Sequence, residues 1–376
     1  MNTNIQWQPQ QSEALLLIKN WVNSKTTPQV LRVFGWAGTG KTTMAIEVSD
    51  FVQGNIIYAT YTGKASIILQ TKGCKDAQTL HSLIYRGVED PKTGILEWSL
   101  NPQSPLAYTK LLVVDEVSMV NEEMGKDILS FGCKVLVLGD PFQLPPISGA
   151  GYFTDKPADY MLTDIRRQAK DNPIIALSTD IREGRQLKLG SYGSSKVIPK
   201  ETWKGDVMME SLASNDQTLC GKNATRFTFN GFYRDALEMS NKINLAPVKG
   251  DKLVCLKNNR QLGLMNGSLW EVYDTKLRDR TEVWLQVKSL DGLTASVIET
   301  STHIKFFEDK AKELDWREKK RLSEFDYGYA LTVHKSQGSQ WDNVLVYDES
   351  NVFREFQARH LYTAITRAAE SVEIVI

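Results

Sequence analysis

Residues Gly35 to Thr42 read Gly-Trp-Ala-Gly-Thr-Gly-Lys-Thr, a complete match to G-x-x-x-x-G-K-[ST]. The apolar run Val30-Leu31-Arg32-Val33-Phe34 precedes it, and residues 42–52 follow with helical spacing. A strand, a glycine-rich turn and a helix in that order leave few architectures open. The turn belongs at the carboxyl end of a strand in an α/β sheet. The glycines let successive N–H groups face an anion, and the helix N-terminus adds positive potential. Lys41 is placed to reach the β- and γ-phosphates of a nucleotide, and the Thr42 hydroxyl to ligate Mg²⁺. The candidate nucleotide-binding residues of the loop are Gly35, Ala37, Gly38, Thr39, Gly40, Lys41, Thr42 and Thr43.

The run Leu111-Leu112-Val113-Val114 ends on Asp115-Glu116. A buried strand that delivers two carboxylates at its carboxyl end supplies the second half of such a site. Asp115 would hold the metal, and Glu116 would orient and deprotonate the attacking water. Further short apolar runs at Ile56–Ala59 and Val135–Leu138, with a helical pattern over Lys64–Gln70, predict a parallel sheet covered on both faces. The fold class expected is therefore α/β. These residues establish a nucleoside triphosphatase without saying what the energy drives, because one P-loop fold serves many functions.

The second half is less regular. Asn172–Arg182 and Asn230–Asn241 read as helices, 190–203 as loop rich in Gly, Ser and Lys, and Asp251–Ile298 as strand-dominated. Strand patterns return at Val344–Tyr347 and Val372–Ile376. A chain of 376 residues suggests two or three domains at about 100–200 residues each. Cys74, Cys133, Cys220 and Cys255 are too far apart for a zinc knuckle and fit a reducing compartment. With no bilayer-spanning run and a polar start, the expected location is the cytoplasm, with no membrane partner.

Three further segments narrow the class. They are Gly139-Asp140-Pro141-Phe142-Gln143 after a strand, Thr332-Val333-His334-Lys335-Ser336-Gln337-Gly338-Ser339, and Tyr362-Thr363-Ala364-Ile365-Thr366-Arg367, whose Arg is expected in a near-terminal helix. With Asp115-Glu116-Val117-Ser118-Met119 they resemble motifs II, III, V and VI of superfamily 1 DNA helicases. The resemblance is strongest to the RecD-like branch, with the Dda-type helicases of T-even bacteriophage. It runs from Gln11 to Ile376.

The resemblance implies two RecA-like P-loop domains, ATP and Mg²⁺ as cofactors, and a set of roles. Gln11 would read the adenine edge, although on residues alone a polar helix position fits as well. Gln143 would sense the γ-phosphate. Arg167, in Leu162-Thr163-Asp164-Ile165-Arg166-Arg167, and Arg367 would be arginine fingers. Gly338 would lie on the nucleotide side. Thr62, Lys64, Thr79, His81, Asn223, Thr332 and His334 would contact single-stranded DNA, and Asn230 resembles another polar position of the same face. ATP would lie between two domains whose closure and opening drive an inchworm stroke.

The implied boundaries are 1–82 with 108–165 for the first RecA-like domain, and 166–270 with 325–376 for the second. Residues 83–107 would form a small β-hairpin insertion, the pin, and 271–324 an SH3-like β insertion. Asp90, Pro91, Lys92, Thr93 and Gly94 mark the hairpin's turn and Trp98 its second strand. It either splits the duplex or is merely structural. The charged stretch 306–322 is open between a solvated helix and a DNA or partner contact.

The implied activity is an ATP-dependent helicase moving 5′→3′ on single-stranded DNA and unwinding forked duplexes in replication, recombination or repair. It would act as a monomer, alongside single-strand binding protein or replisome proteins. A translocase or remodelling ATPase that unwinds poorly is the alternative, and a slow nucleotide switch a second. A nuclease is disfavoured, since no carboxylate cluster remains. The formal net charge is zero, with 45 Lys+Arg and 45 Asp+Glu. A grip that must release each cycle is compatible with that balance. A track of Thr, His and Asn would displace only a few counterions.

Overall fold

The computed structural model describes residues 6–89, 96–146, 149–164, 172–239, 245–259 and 261–376. The chain divides into two compact units, Met1–Ala176 and Leu177–Ile376.

The first unit is built on six strands. They are β1 (Val30–Gly35), β2 (Ile56–Thr60), β3 (Gln78–Thr79), β6 (Leu111–Asp115), β7 (Lys134–Gly139) and β8 (Tyr160–Leu162). Their order is β3-β2-β6-β7-β1-β8, and every pairing is parallel. Alternation along each strand explains why helices cover both faces. Leu31, Val33, Leu111, Val113, Leu136 and Leu138 enter one apolar core, while Val30, Phe34, Leu112, Val114, Val135 and Val137 enter the other. Helix α1 (Pro9–Asn23) buries Ala14, Ile18 and Trp21 in the first of these. Further helices of the unit are α2 (Lys41–Glu47), α3 (Gly63–Thr71), α4 (Leu80–Ile84) and α5 (Glu122–Ser130).

Between α4 and β6 a two-stranded antiparallel ribbon projects, β4 (Tyr85–Glu89) with β5 (Leu96–Leu100). Gly87 pairs with Trp98 in its register. The expected turn residues Asp90, Pro91, Lys92, Thr93 and Gly94 lie outside the described residues, as does Arg167.

The second unit carries a six-stranded sheet, β17-β11-β18-β19-β10-β9. Its strands are β9 (Gly190–Tyr192), β10 (Ser195–Ile198), β11 (Gln217–Cys220), β17 (Ala330–Thr332), β18 (Trp341–Tyr347) and β19 (Ala368–Val375). All pairings are parallel except β9 with β10. A five-stranded antiparallel sheet, β15-β14-β13-β12-β16, belongs to the same unit. It comprises β12 (Lys252–Cys255), β13 (Leu269–Leu277), β14 (Glu282–Ser289), β15 (Ile298–His303) and β16 (Phe325–Tyr327). The two sheets share one core, in which Leu253, Trp270, Leu285 and Phe325 of the antiparallel sheet join Ala330, Leu345 and Val375 of the parallel one.

Three local expectations change. Residues 190–203 are not all loop: β9 and β10 form a hairpin turning at Gly193 (φ 60°), and Val197 pairs with Ile374. Four residues that bury only alternate side chains are easily masked by neighbouring Gly and Ser. The helix expected over 230–241 is Asn223–Ala236, starting directly after β11 and followed by Glu238 at φ 55°. The antiparallel sheet extends beyond 271–324, because β12 and β16 close it from outside that range.

Candidate functional site

The loop after β1 turns through Gly38 (φ 80°) and Gly40 (φ 85°), and α2 begins at Lys41. Glycine adopts positive φ at those points without the steric cost that a Cβ would bring. Gly35 is constrained differently: a Cβ there would stand 2.6 Å from Thr39 Oγ1 and 2.8 Å from Leu162 Cβ. Thr39 is fully buried, and its hydroxyl donates to the Trp36 carbonyl at 2.9 Å. The Lys41 ammonium donates to the carbonyls of Gly35 and Trp36 at 2.7 and 2.9 Å, so its cation lies over the loop.

Strand β6 is buried throughout and delivers Asp115 to α2. The Thr42 hydroxyl donates to Asp115 Oδ2 at 2.8 Å, and the Glu116 N–H to Oδ1 at 2.9 Å. Burial pushes the Asp115 carboxyl above its ordinary value, the Glu116 charge adds to that, and the Thr42 hydroxyl opposes both. Glu116 itself takes a left-handed conformation, φ 54° and ψ 48°. That is a sparsely populated state for a residue with a Cβ, the kind of strain found at reacting groups.

Among the described residues no group of three His, Cys, Asp or Glu is assembled to hold a metal by itself. One hydroxyl and one carboxylate in contact do fit Mg²⁺, which keeps water and phosphate oxygens and takes one or two protein ligands.

Gln11 is 2% exposed. Its Nε2 donates to the Thr39 carbonyl at 2.8 Å and its Oε1 accepts from Gln8 N–H at 3.1 Å. The Nε2 end thus ties α1 to the glycine loop, while the Oε1 end caps the start of α1 itself. Its neighbour Gln10 was missed by sequence reasoning: its Oε1 accepts from the N–H groups of Thr163 and Asp164 at 2.9 Å each. After β7, Asp140 accepts from the Phe142 N–H at 2.9 Å, a tight turn that leaves Gln143 7% exposed.

Thr62 caps α3, accepting from Ala65 N–H at 3.3 Å, and Lys64 lies in the first turn. Thr79 caps α4 in the same way through Ser82. His81 meets the edge of Trp98 at 4.5 Å and Tyr85 at 5.0 Å, so the ribbon's base is aromatic. The 54% exposure of Trp98 leaves much of its ring open.

In the second unit Thr332 ends β17, and Gly338 (φ 76°) turns the chain before β18. Arg367 follows the helix Gln357–Ile365 rather than lying in it. Its Nε donates to the Thr363 carbonyl at 3.2 Å and one terminal nitrogen to the Ser339 carbonyl at 3.3 Å, joining the two segments. His334 lies 5.6 Å from Phe353, which stacks on His360 at 4.0 Å. Burial pushes His360 down to about 3, and neither ring nitrogen has a hydrogen-bond partner. Asn223 is exposed at the first turn of its helix.

Asn230 departs from expectation. It is 2% exposed, its Oδ1 accepts from Ala330 N–H at 2.8 Å, and its Nδ2 donates to Tyr327 and Ala330 carbonyls. The side chain is spent on the join between β16 and β17 and has nothing left for DNA. Residues 7–201 match the family model described as AAA domain. The chain belongs to the AAA-domain family. Residues 327–375 of this AAA-domain chain match a UvrD-like helicase C-terminal domain.

Over 376 aligned residues the chain is 28% identical to the ATP-dependent RecD2 DNA helicase of Deinococcus radiodurans, covering 89% of this chain and 45% of the relative. It spans less than half the length of the first curated relatives it matches. A structure of Bacteroides Pif1 bound to single-stranded DNA superposes with a TM-score of 0.59 at 19% identity, covering 98% of this chain and 92% of that one. One of two coordinating Pif1 helicases at forked duplex DNA gives 0.60 at the same identity and the same coverage of both chains. These two likenesses establish the fold.

No helix among the described residues is long and apolar enough to cross a membrane.

Proposed function

We propose that this chain is an ATP-dependent DNA helicase of the Pif1/RecD-like superfamily 1 type. The observation that carries the reading is the helicase C-terminal match at 327–375, which holds Thr332, His334, Gly338 and Arg367, in one chain with a complete P-loop. The likeness to RecD2 and Pif1 supports it. A finer likeness to the Dda-type helicases rests on the order of the motifs.

The loop N–H groups and Lys41 bind the triphosphate, and Thr42 with Asp115 would hold Mg²⁺. When bound, that ion would neutralise charge on the β- and γ-phosphates. Glu116 takes the proton of the attacking water, and Gln143 senses the γ-phosphate. Arg167 and Arg367 are assigned as arginine fingers. Thr62, Lys64, Thr79 and His81 on the first unit, with Asn223, Thr332 and His334 on the second, are assigned to a single strand. The β4–β5 ribbon is assigned to part the duplex, and the sheet containing 271–324 to the SH3-like module. Movement is 5′→3′, by a monomer.

The test is ATP turnover with and without single-stranded DNA. Stimulation by at least about tenfold is expected from a motor whose hydrolysis is coupled to its track. Slow turnover unchanged by saturating oligonucleotide would favour a nucleotide switch instead.

A further inference from the structure

The strands β17, β11 and β18 are neighbours in the second unit's sheet, and all run parallel. Their carboxyl ends therefore lie side by side. From β11 the chain passes through Gly221 and Lys222 into the helix headed by Asn223. From β17 it passes through Thr332 to His334. Beyond β18 it reaches Glu349 and Phe353.

Glu349 is 8% exposed. Its Oε2 accepts from the N–H groups of Gly221 and Lys222, both at 3.0 Å. Its Oε1 accepts from the Thr225 hydroxyl at 2.7 Å and lies 3.3 Å from the Lys222 ammonium. A carboxylate so placed complements the positive end of a 14-residue helix. The two segments also touch closely: a Cβ on Gly221 would stand 2.9 Å from Glu349 Cβ and 3.0 Å from the Phe353 ring. Phe353 in turn stacks on His360 and faces His334. Contact is thus continuous from the Asn223 turn, through Glu349 and Phe353, to the Thr332–His334 segment.

We infer that Glu349 is a positioning residue for single-strand binding, clamping the ends of β11 and β18 so that Asn223 and the Thr332–His334 segment present one fixed rim. This rests on the proposed reading that those residues face DNA. Glu349 does not itself touch the strand; its oxygens are buried and engaged by four donors. Removing it frees the helix start and the Phe353 segment to move apart.

The test compares Glu349→Ala, Glu349→Gln and His334→Ala in the full chain. Binding of a labelled thymidine oligonucleotide is followed by anisotropy, and ATP turnover is measured with and without DNA. Glu349→Ala is expected to weaken binding about tenfold and to raise the half-stimulating DNA concentration by the same factor. DNA-free turnover should stay within about twofold, because the groups that engage Glu349 belong to Gly221, Lys222 and Thr225 and not to the P-loop or to Arg367. Glu349→Gln, which keeps an oxygen acceptor without the charge, should fall between. The salt slope of binding should not change, since no cation on phosphate is lost.

Unchanged affinity in Glu349→Ala beside weakened binding in His334→Ala overturns the inference and leaves the DNA face standing. Unchanged affinity in His334→Ala overturns the face itself. Tighter binding by Glu349→Ala would mean that the carboxylate repels phosphate, and it also overturns the inference. So does a loss of DNA-free turnover and melting temperature with affinity intact in the folded fraction. If Glu349→Ala does not fold, the same comparisons are read from Glu349→Gln.

Discussion

Asp115 and Glu116 are adjacent carboxylates held in opposite ways. Asp115 is fixed by the Thr42 hydroxyl and the Glu116 N–H, so it is committed to its position. Glu116 leaves the strand at φ 54°, a conformation that costs about 1–3 kcal/mol and is retained where the side chain's aim matters. That contrast suits the proposed roles, holding for the first and proton transfer for the second. Glu116→Gln preserves shape and removes the base, so ATP turnover should fall about 10²–10⁴-fold while nucleotide affinity stays within a few fold. Turnover close to that of wild type would remove Glu116 from the role. The pair was legible in sequence, because four apolar residues running into Asp-Glu, in one chain with a complete glycine-rich phosphate loop upstream, read as a buried strand with its acids at the exit. The backbone strain was not, since nothing in the letters distinguishes a left-handed glutamate. Nor was the use of Gln11 or Asn230. A polar residue reads alike whether its amide faces a ligand or satisfies a carbonyl 28 or 100 positions away.

At the scale of elements, the helix Gln357–Ile365 carries a titratable group into the core. His360 is 1% exposed, stacked on Phe353, with the His334 ring 6.2 Å away. Burial first, and then the neighbouring His334, drive its value from 6.5 down to about 3. The folded state thus binds the proton less well than the unfolded one. Stability is complete above about 6.5 and is lost as pH falls toward 3, by about 1.4 kcal/mol per pH unit inside that window. His360→Leu removes the titration, so melting curves of the two proteins should diverge below pH 6.5, with wild type falling faster. Parallel profiles would show that His360 keeps its proton when folded. Elements with strong patterns were legible: β1, β6, β7 and β18 fall on apolar runs in the sequence. Short strands such as β9 and β10 were not, because three or four residues bury too few side chains to leave a pattern. The boundary of the antiparallel sheet was misplaced for a related reason. β12 and β16 contribute to a core shared with Ala330 and Leu345, so no break in composition marks where one sheet ends.

For the whole molecule, the charge balance takes on a more specific meaning. The first 165 residues hold 13 Lys+Arg against 16 Asp+Glu, and the remainder 32 against 29, so neither part is a polycation. A protein that held DNA by bulk charge would need far more. The side chains assigned to the strand are mostly hydroxyls, imidazoles and an amide set at strand ends and helix caps, which suits a grip that binds and releases. Family membership rests on residues 7–201 and the helicase character on 327–375. The link between them, hydrolysis turned into strand separation, is the central claim. It is tested most directly by ATP-dependent displacement of forked duplexes bearing either a 5′ or a 3′ single-stranded tail, with Glu116→Gln as the control. Displacement of the 5′-tailed substrate by wild type alone is the predicted result. Displacement only from the 3′ tail would contradict the polarity, and no displacement from either, with ATP turnover still stimulated by single strands, would contradict the helicase assignment.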